Sequence, residues 1–301
     1  MEKKVGPEHM FATTLTVCEN VTKRYPRFEL GPVDLSVERG RVTGLFGPNG
    51  SGKTTLLSLI LRLVRPTSGR IVVDNHSIQI SAVLESLGML PDLAVKRYLE
   101  TTSKLHGSSI DVAEVADYCG IERYLDTRIR HLSMGNRQRT AIACLLLSEA
   151  PFVVFDEPLN GLDPEGIQWF AQVLRDMKSQ GHAIILSSHL LTEAQSLIDD
   201  CVFLSEGEVI YSGSLATVEE LARHSLRIRR EDSIDPSSDL HRHIIFRENG
   251  MAYLDGPNEF NSYVQPEDGW ADSRRRIPLA AIYAWLLHGS YETAEQVSCH
   301  A

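Results

Sequence analysis

The stretch RVTGLFGPNGSGKTTLLSLI, Arg41 to Ile60, decides the fold. Its first part, Arg41 to Phe46, is a compact apolar run that reads as a buried strand. Its last part continues as TTLLSLILRLV, whose length and leucine content predict a buried helix over Thr54 to Val64, stopped by Pro66. Between them, Gly47-Pro48-Asn49-Gly50-Ser51-Gly52-Lys53-Thr54 fits GxxxxGK[ST] at every fixed position. Glycines at these places let successive backbone N–H groups turn inward with no Cβ in the way, which makes an anion cradle. The N-terminus of the following helix adds a positive partial charge. In that arrangement Lys53 reaches the β- and γ-phosphates of a nucleotide, and Thr54 offers its hydroxyl to Mg2+. A chance Gly-rich turn is the bland alternative; the strand before and the helix after count against it.

A second motif stands about a hundred residues further on, in keeping with the acids that accompany such a loop. Pro151 opens PFVVFDE, where four apolar residues are followed directly by Asp156 and Glu157. A nearly uninterrupted apolar strand belongs in a parallel sheet covered on both faces. Its C-terminal end is where open α/β sheets bind ligands. Asp156 is placed to hold Mg2+, directly or through water, and Glu157 to polarise an attacking water. HAIILSS, His182 to Ser188, reads as another such strand, with His189 just beyond it.

Working outward, Leu15 to Val37 alternates loosely and is broken by Pro26, Gly31 and Pro32, as short antiparallel strands are. Arg70 to Asp74 reads as a strand. Ser81 to about Glu149 reads as mainly helical, with apolar spacings of three and four in YLETTSKL and VAEVADYC. Helices are expected near Glu165 to Ser179 and Leu191 to Leu197. CVFLSE and EVIYSG form a strand pair around the Glu206-Gly207 turn. After Thr217 the chain becomes richer in Arg, Asp, His and Pro, with strand-like LRIRR, HIIFR and MAYLD and a final helix. The expected class is α/β: a P-loop NTPase core with an antiparallel β subdomain and an inserted helical subdomain, plus a small C-terminal α+β domain. The expected division is a flexible tail over 1–12, the ATPase domain over 13–217 with its helical subdomain at about 80–149, and an accessory domain over 218–301.

Composition narrows the function classes. The chain has 301 residues, 43% hydrophobic and 23% charged, enough for a substantial core. A formal net charge of -10 argues against a nucleic-acid partner, since phosphate contacts need clustered Lys and Arg. Cys18, Cys119, Cys144, Cys201 and Cys299 show no CxxC spacing and read as reduced thiols rather than disulfides or metal ligands. No segment approaches the ~20 apolar residues of a membrane-spanning helix. IPLAAIYAWLL, Ile277 to Leu287, is too short and carries Pro278; it reads as a packed helix or subunit contact rather than an interfacial membrane helix. MEKKVGPEHM at the start has no apolar run of the secretory kind.

With these motifs in place the sequence resembles the ABC ATPase family over approximately residues 13 to 217. The family signature, usually LSGGQ, has its counterpart in Leu132-Ser133-Met134-Gly135-Asn136, followed by Arg137-Gln138-Arg139. The loop Asn160-Gly161-Leu162-Asp163 and His189 follow in the family's order. The resemblance implies ATP contacts from Tyr25, Gly47, Asn49, Gly50, Ser51, Gly52, Lys53, Thr54 and Thr55, with Tyr25 stacking on adenine. It implies that two nucleotide-binding subunits, identical or different, pack head to tail, so that Ser133, Gly135, Asn136 and Asp163 of one complete the ATP site of the other. Ser133 can cap a helix aimed at the γ-phosphate, and Gly135 permits close backbone approach. His189 is implied to contact the γ-phosphate and orient the catalytic Glu157.

The departures from the family pattern are specific. Met134 replaces the usual glycine, Asn136 the usual glutamine, and Leu159 a usual threonine. The family has a Gln or Glu soon after the strand preceding a PDLTV-like stretch. Here the two read as fused at Pro91-Asp92-Leu93, a shortened loop with Asp92 as the substitute Mg2+ ligand. The implied function is an ATP-hydrolysing subunit of an ABC transporter on the cytoplasmic face of the membrane, docked on a separate integral-membrane subunit. It resembles the export branch that handles drugs, peptide antibiotics or lipids. The alternatives are a soluble, non-transport ABC protein and a regulatory cassette with weak hydrolysis.

Overall fold

A computed structural model describes residues 14–73, 78–84, 88–230, 244–248, 251–255 and 276–288; the expected N-terminal tail and Cys299 lie outside the described residues. Strands β1 (Thr14–Tyr25) and β2 (Phe28–Glu38) form an antiparallel hairpin in which Tyr25 pairs with Phe28. Strand β3 (Val42–Phe46) then leads through the Gly-rich loop into helix α1 (Lys53–Ile60). β4 (Ser68–Ile71) returns to pair with β1. β5 (Ile80–Val83), helices α2 (Val95–His106), α3 (Val112–Tyr118) and α4 (Met134–Leu146), and strand β6 (Phe152–Asp156) follow. The chain continues through α5 (Pro164–Ser179), β7 (Ala183–Ser187), the single turn α6 (Leu191–Ala194), and the hairpin β8 (Asp200–Ser205) and β9 (Glu208–Ser214). It ends with α7 (Leu215–Ser225), β10 (Leu226–Arg230), β11 (Ile244–Glu248), β12 (Met251–Asp255) and α8 (Leu279–Leu287).

The central sheet has the order β5-β6-β7-β3-β8-β9, parallel throughout except for β9. Every residue of β3, β6 and β7 is buried. Their side chains alternate between two cores, as the period of a strand requires. Val153, Phe155, Ile184, Leu186 and Phe203 join the cluster under α4, α5 and α7. Phe152, Val154, Ile185, Val202 and Leu204 join the cluster with α1 and the β1–β2 hairpin. Apolar residues on both faces are why these strands read as continuous hydrophobic runs. The inserted helices keep a small core of their own around Val95, Leu99, Ala116, Ile121 and Leu147.

Some expectations need correction. The helix expected over Thr54 to Val64 ends at Ile60. Arg62 turns left-handed at φ 58°, Leu63 N donates to Ser58 O at 2.8 Å and Arg62 N to Leu59 O at 2.9 Å, a Schellman-type stop without a glycine. The stretch expected to be helical from Ser81 begins instead with strand β5, paired in parallel with β6 from Ile80–Phe152 to Val83–Phe155. Four residues carry too little periodicity to announce a strand; the ladder to β6 makes it one. Because β5 ends at Val83, residues 84–94 separate it from α2, and the loop read as shortened at Pro91-Asp92-Leu93 is not fused to its strand.

The C-terminal strands form an antiparallel sheet of order β10-β12-β11. Its buried residues Met251 and Tyr253 belong to the same cluster as Phe155 and Phe203, and so do Ile282, Trp285 and Leu286 of α8. The apolar run Ile277 to Leu287 is thus packed into the core, helical from Leu279 onward.

Candidate nucleotide site

The loops that carry the chemistry leave one edge of three neighbouring parallel strands, β6, β7 and β3. After β3, the chain turns at Gly47 with φ 155°, where a Cβ would collide with the carbonyl of Leu204 and the hydroxyl of Ser51. Ser51 N donates to Pro48 O at 3.1 Å, closing the loop. Gly52, left-handed at φ 110°, caps α1, so Lys53 opens the helix and the backbone N–H groups of its first turn face the loop. Lys53 is buried, and its Nζ donates to the carbonyls of Gly47 at 2.7 Å and Pro48 at 3.3 Å. The Ser51 hydroxyl is buried and has no hydrogen-bond partner. A caged ammonium, an orphaned hydroxyl and a glycine cradle are the donor set a nucleotide phosphate satisfies.

At the end of β6, Asp156 is buried and its Oδ1 accepts from Ser187 Oγ at 2.6 Å. That same Oγ accepts from Glu157 N at 3.0 Å, and Ser187 O accepts from Glu157 N at 3.2 Å. Glu157 stands at φ 53°, a left-handed conformation that costs a non-glycine residue about 1 kcal/mol or more. Ser187, at the end of β7, holds it there. Glu157 Oε2 accepts from His189 N at 3.1 Å and lies 2.7 Å from His189 Nδ1. Glu157 keeps 10% of its side-chain surface exposed and His189 53%, so the pair forms the open lip of a buried acid cluster. In the His189 tautomer that carries Nδ1–H, this nitrogen donates a hydrogen bond to the carboxylate.

The signature residues gather elsewhere on the surface. Ser133 is the N-cap of α4 and its Oγ accepts from Asn136 N at 3.3 Å. A Cβ on Gly135 would stand 2.9 Å from Gly161 O, so the helix start and the 160–163 loop touch backbone to backbone. Met134 is 57% exposed, yet its Cγ would lie 2.6 Å from a Cβ on Gly161. Asp163 caps α5 by accepting from Gly166 N at 2.7 Å. Helices α4 and α5 are further tied by Arg139, stacked 4.2 Å over the Trp169 ring, and the end of α3 is tied to the last turn of α5 by Tyr118, whose hydroxyl donates to Asp176 at 2.5 Å.

Tyr25 is 44% exposed at the tip of the β1–β2 hairpin, with Lys23 Nζ 5.3 Å above its ring. Its cross-strand partner Phe28 packs beside the loop, 3.1 Å from a Cβ on Gly52. Asp92 is exposed, and Arg130 Nη1 donates to its Oδ1 at 2.7 Å. Sequence reading passed over Ser187 and Phe28. Ser187 carried a signal, a hydroxyl at the end of an apolar strand two residues before His189; Phe28 carried none, since only the hairpin register brings it to Gly52.

The fold and this site define a P-loop nucleoside triphosphatase. The family model described as ABC transporter matches residues 30–160. Over 206 residues the chain is 32% identical to the ABC transporter ATP-binding protein NatA of Bacillus subtilis, covering 64% of this chain and 84% of that one. Over 220 residues it is 30% identical to the lantibiotic transport ATP-binding protein SrtF of Streptococcus pyogenes, covering 69% and 96%. A solved ATP-binding subunit of an ABC transporter shares the fold with a TM-score of 0.64 at 27% identity, covering 69% of this chain and 92% of that one. The chain belongs to the ABC transporter family, as an ATP-binding, ATP-hydrolysing subunit. Among the described residues no helix is long and apolar enough to cross a membrane.

Proposed function

We propose that this subunit powers export through a separate integral-membrane subunit, at the cytoplasmic face, with Glu157 as the group that activates water. The observation that carries the reading is the convergence of Lys53, Asp156, Glu157 and His189 on loops from one edge of adjacent strands. Lys53 and the Gly47–Gly52 backbone bind the phosphates, with Asn49, Ser51 and Thr55 beside them. Tyr25 faces the base. Glu157 accepts the proton of the attacking water, and His189 fixes that carboxylate's orientation. Mg2+, when bound, neutralises phosphate charge and polarises the γ-phosphoryl group. Thr54 and Asp156 suit it, both offering oxygen. In the place first given to Asp92, whose carboxylate is taken up by Arg130, Glu85 is the better candidate: it stands two residues past the end of β5 in sequence, where the family has a Gln or Glu.

The partner nucleotide-binding subunit, identical or different, supplies Ser133, Gly135, Asn136 and Asp163 to complete each site. The backbone contact between Gly135 and Gly161 supports this reading, since it presents both segments on one surface. The direction of transport is supported by a relative 31% identical over 210 residues, the Nod factor export ATP-binding protein I of Burkholderia orbicola.

Lys53→Ala is the direct test. Loss of a charge-assisted contact is expected to weaken ATP binding at least about tenfold. An unchanged ATP Kd, measured by calorimetry, removes the phosphate assignment. Co-expression with the membrane subunit should carry the chain to the membrane fraction; if it stays in the soluble fraction, the transport reading falls.

A further inference from the structure

The last described helix touches the site from behind at two points. Tyr283 of α8 donates its hydroxyl to Leu204 O at 3.1 Å and stacks on Phe203, ring centroids 5.4 Å apart. That same Leu204 carbonyl is the atom against which Gly47 is packed. At the start of α8, Gln195 is buried, only 5% exposed, and uses its whole amide. Its Oε1 accepts from Leu279 N at 3.0 Å; its Nε2 donates to Ile277 O at 2.7 Å and to Glu219 Oε1 at 2.8 Å. Arg276 closes the ring, donating from Nε to Glu219 Oε1 at 2.8 Å and from Nη2 to Gln195 O at 3.0 Å. Gln195 closes the single turn of α6, which begins two residues after His189.

We propose that α8 is a strap that positions the catalytic machinery. Gln195, Glu219 and Arg276 hold the His189 segment in register with Glu157, and Tyr283 holds the base of the phosphate loop. None of these groups reaches the reacting atoms; they act through His189 and Gly47 and are positioning residues. A largely buried polar network with its partners satisfied holds one arrangement firmly, which is what a half-exposed histidine two residues before a single turn requires. A helix held only for stability needs apolar contacts, which α8 has in Ile282, Trp285 and Leu286. The amide and carboxylate network adds direction by fixing the residue that closes α6, just beyond His189, while Tyr283 fixes the carbonyl against which Gly47 is packed.

The inference rests on the catalytic roles proposed above for Glu157 and His189, and one experiment separates the two. Steady-state hydrolysis and ATP Kd are measured on the full chain for the wild type, Gln195→Ala, Tyr283→Phe and Arg276→Gln, each corrected for folded fraction. Misplacement of a distant positioning group lowers kcat; for Gln195→Ala and Arg276→Gln the expected loss is about tenfold with ATP Kd within about twofold. Tyr283→Phe is expected to raise the ATP Kd about threefold. Hydrogen exchange supplies the reciprocal readout: ATP should slow exchange across Leu279–Leu287 in the wild type and not in Gln195→Ala. Arg276, on a half-exposed side chain, guards against a variant that does not fold. Unchanged kcat in the folded fraction of both Gln195→Ala and Arg276→Gln, or an α8 whose exchange ignores ATP, overturns the strap. A wild type that does not hydrolyse ATP overturns the catalytic reading itself and the strap with it.

Discussion

Glu157 Oε2 and His189 Nδ1 meet at 2.7 Å across the ends of β6 and β7. The backbone N–H of His189 grips the same oxygen at 3.1 Å, so one carboxylate oxygen is engaged twice from one residue. This fixes the direction of Glu157 and ties the two side chains into a single unit.

Glu157→Gln keeps the shape of that unit and removes the base. Its ATP binding should stay within a few-fold of wild type while hydrolysis falls at least about a hundredfold. His189→Ala should lose hydrolysis to a similar degree with binding again retained. Single-turnover kinetics with radiolabelled ATP checks both, and near-normal turnover in the glutamine variant removes Glu157 from its role.

Gly135→Ala places a methyl group 2.9 Å from Gly161 O, closer than side-chain carbons normally approach. The start of α4 must move away from the 160–163 loop. ATP should bind each chain as before, while ATP-dependent dimerisation weakens about tenfold and hydrolysis with it. Light scattering with a non-hydrolysable analogue reads the dimer. Dimerisation at wild-type strength would show that this contact does not shape the shared surface.

Asp92→Asn breaks only an exposed ion pair with Arg130, worth at most about 1 kcal/mol. Hydrolysis and its Mg2+ dependence should not change. Glu85→Ala should instead shift the Mg2+ concentration for half-maximal rate upward several-fold. The reverse pattern restores Asp92 as the metal acid.

Burial pushes the Cys18 and Cys119 thiols up to about 12, Cys144 to about 11, and Cys201 further still. The raised values keep these groups as thiols at pH 8, and the thiolate is the reactive form. In a Cys299→Ser background the folded protein should show essentially no labelling by a disulfide reagent within minutes, and full labelling in denaturant. Rapid labelling of the folded chain at pH 8 contradicts the burial.

Motifs whose chemistry depends on neighbours in sequence were legible. The loop from Gly47 to Thr54 needs glycines and a lysine at set spacings because one turn of backbone must wrap one phosphate group. The strand VVF before Asp156 and Glu157 was legible because burial on both faces leaves no polar residue in it. Ser133 was legible as a helix start because capping is a three-residue affair, and it caps as its position suggests. What misled was β5. Ile80 to Val83 holds a place in the sheet through its ladder to β6, a partner some seventy residues away, and the four residues alone resemble the start of the helix that was expected there.

From the sequence alone came the phosphate loop, the acidic strand end, the signature and the alternating order of strands and helices. Each is set by covalent spacing and side-chain type. Tertiary structure decided that Ser187 holds both acids in place, that Phe28 lies beside Gly52, that Arg130 claims Asp92, and that Tyr283 and Gln195 bring α8 against the site. Those relations join residues far apart in the chain, and hydrogen bonds of that kind exist only once the two cores have closed around the sheet.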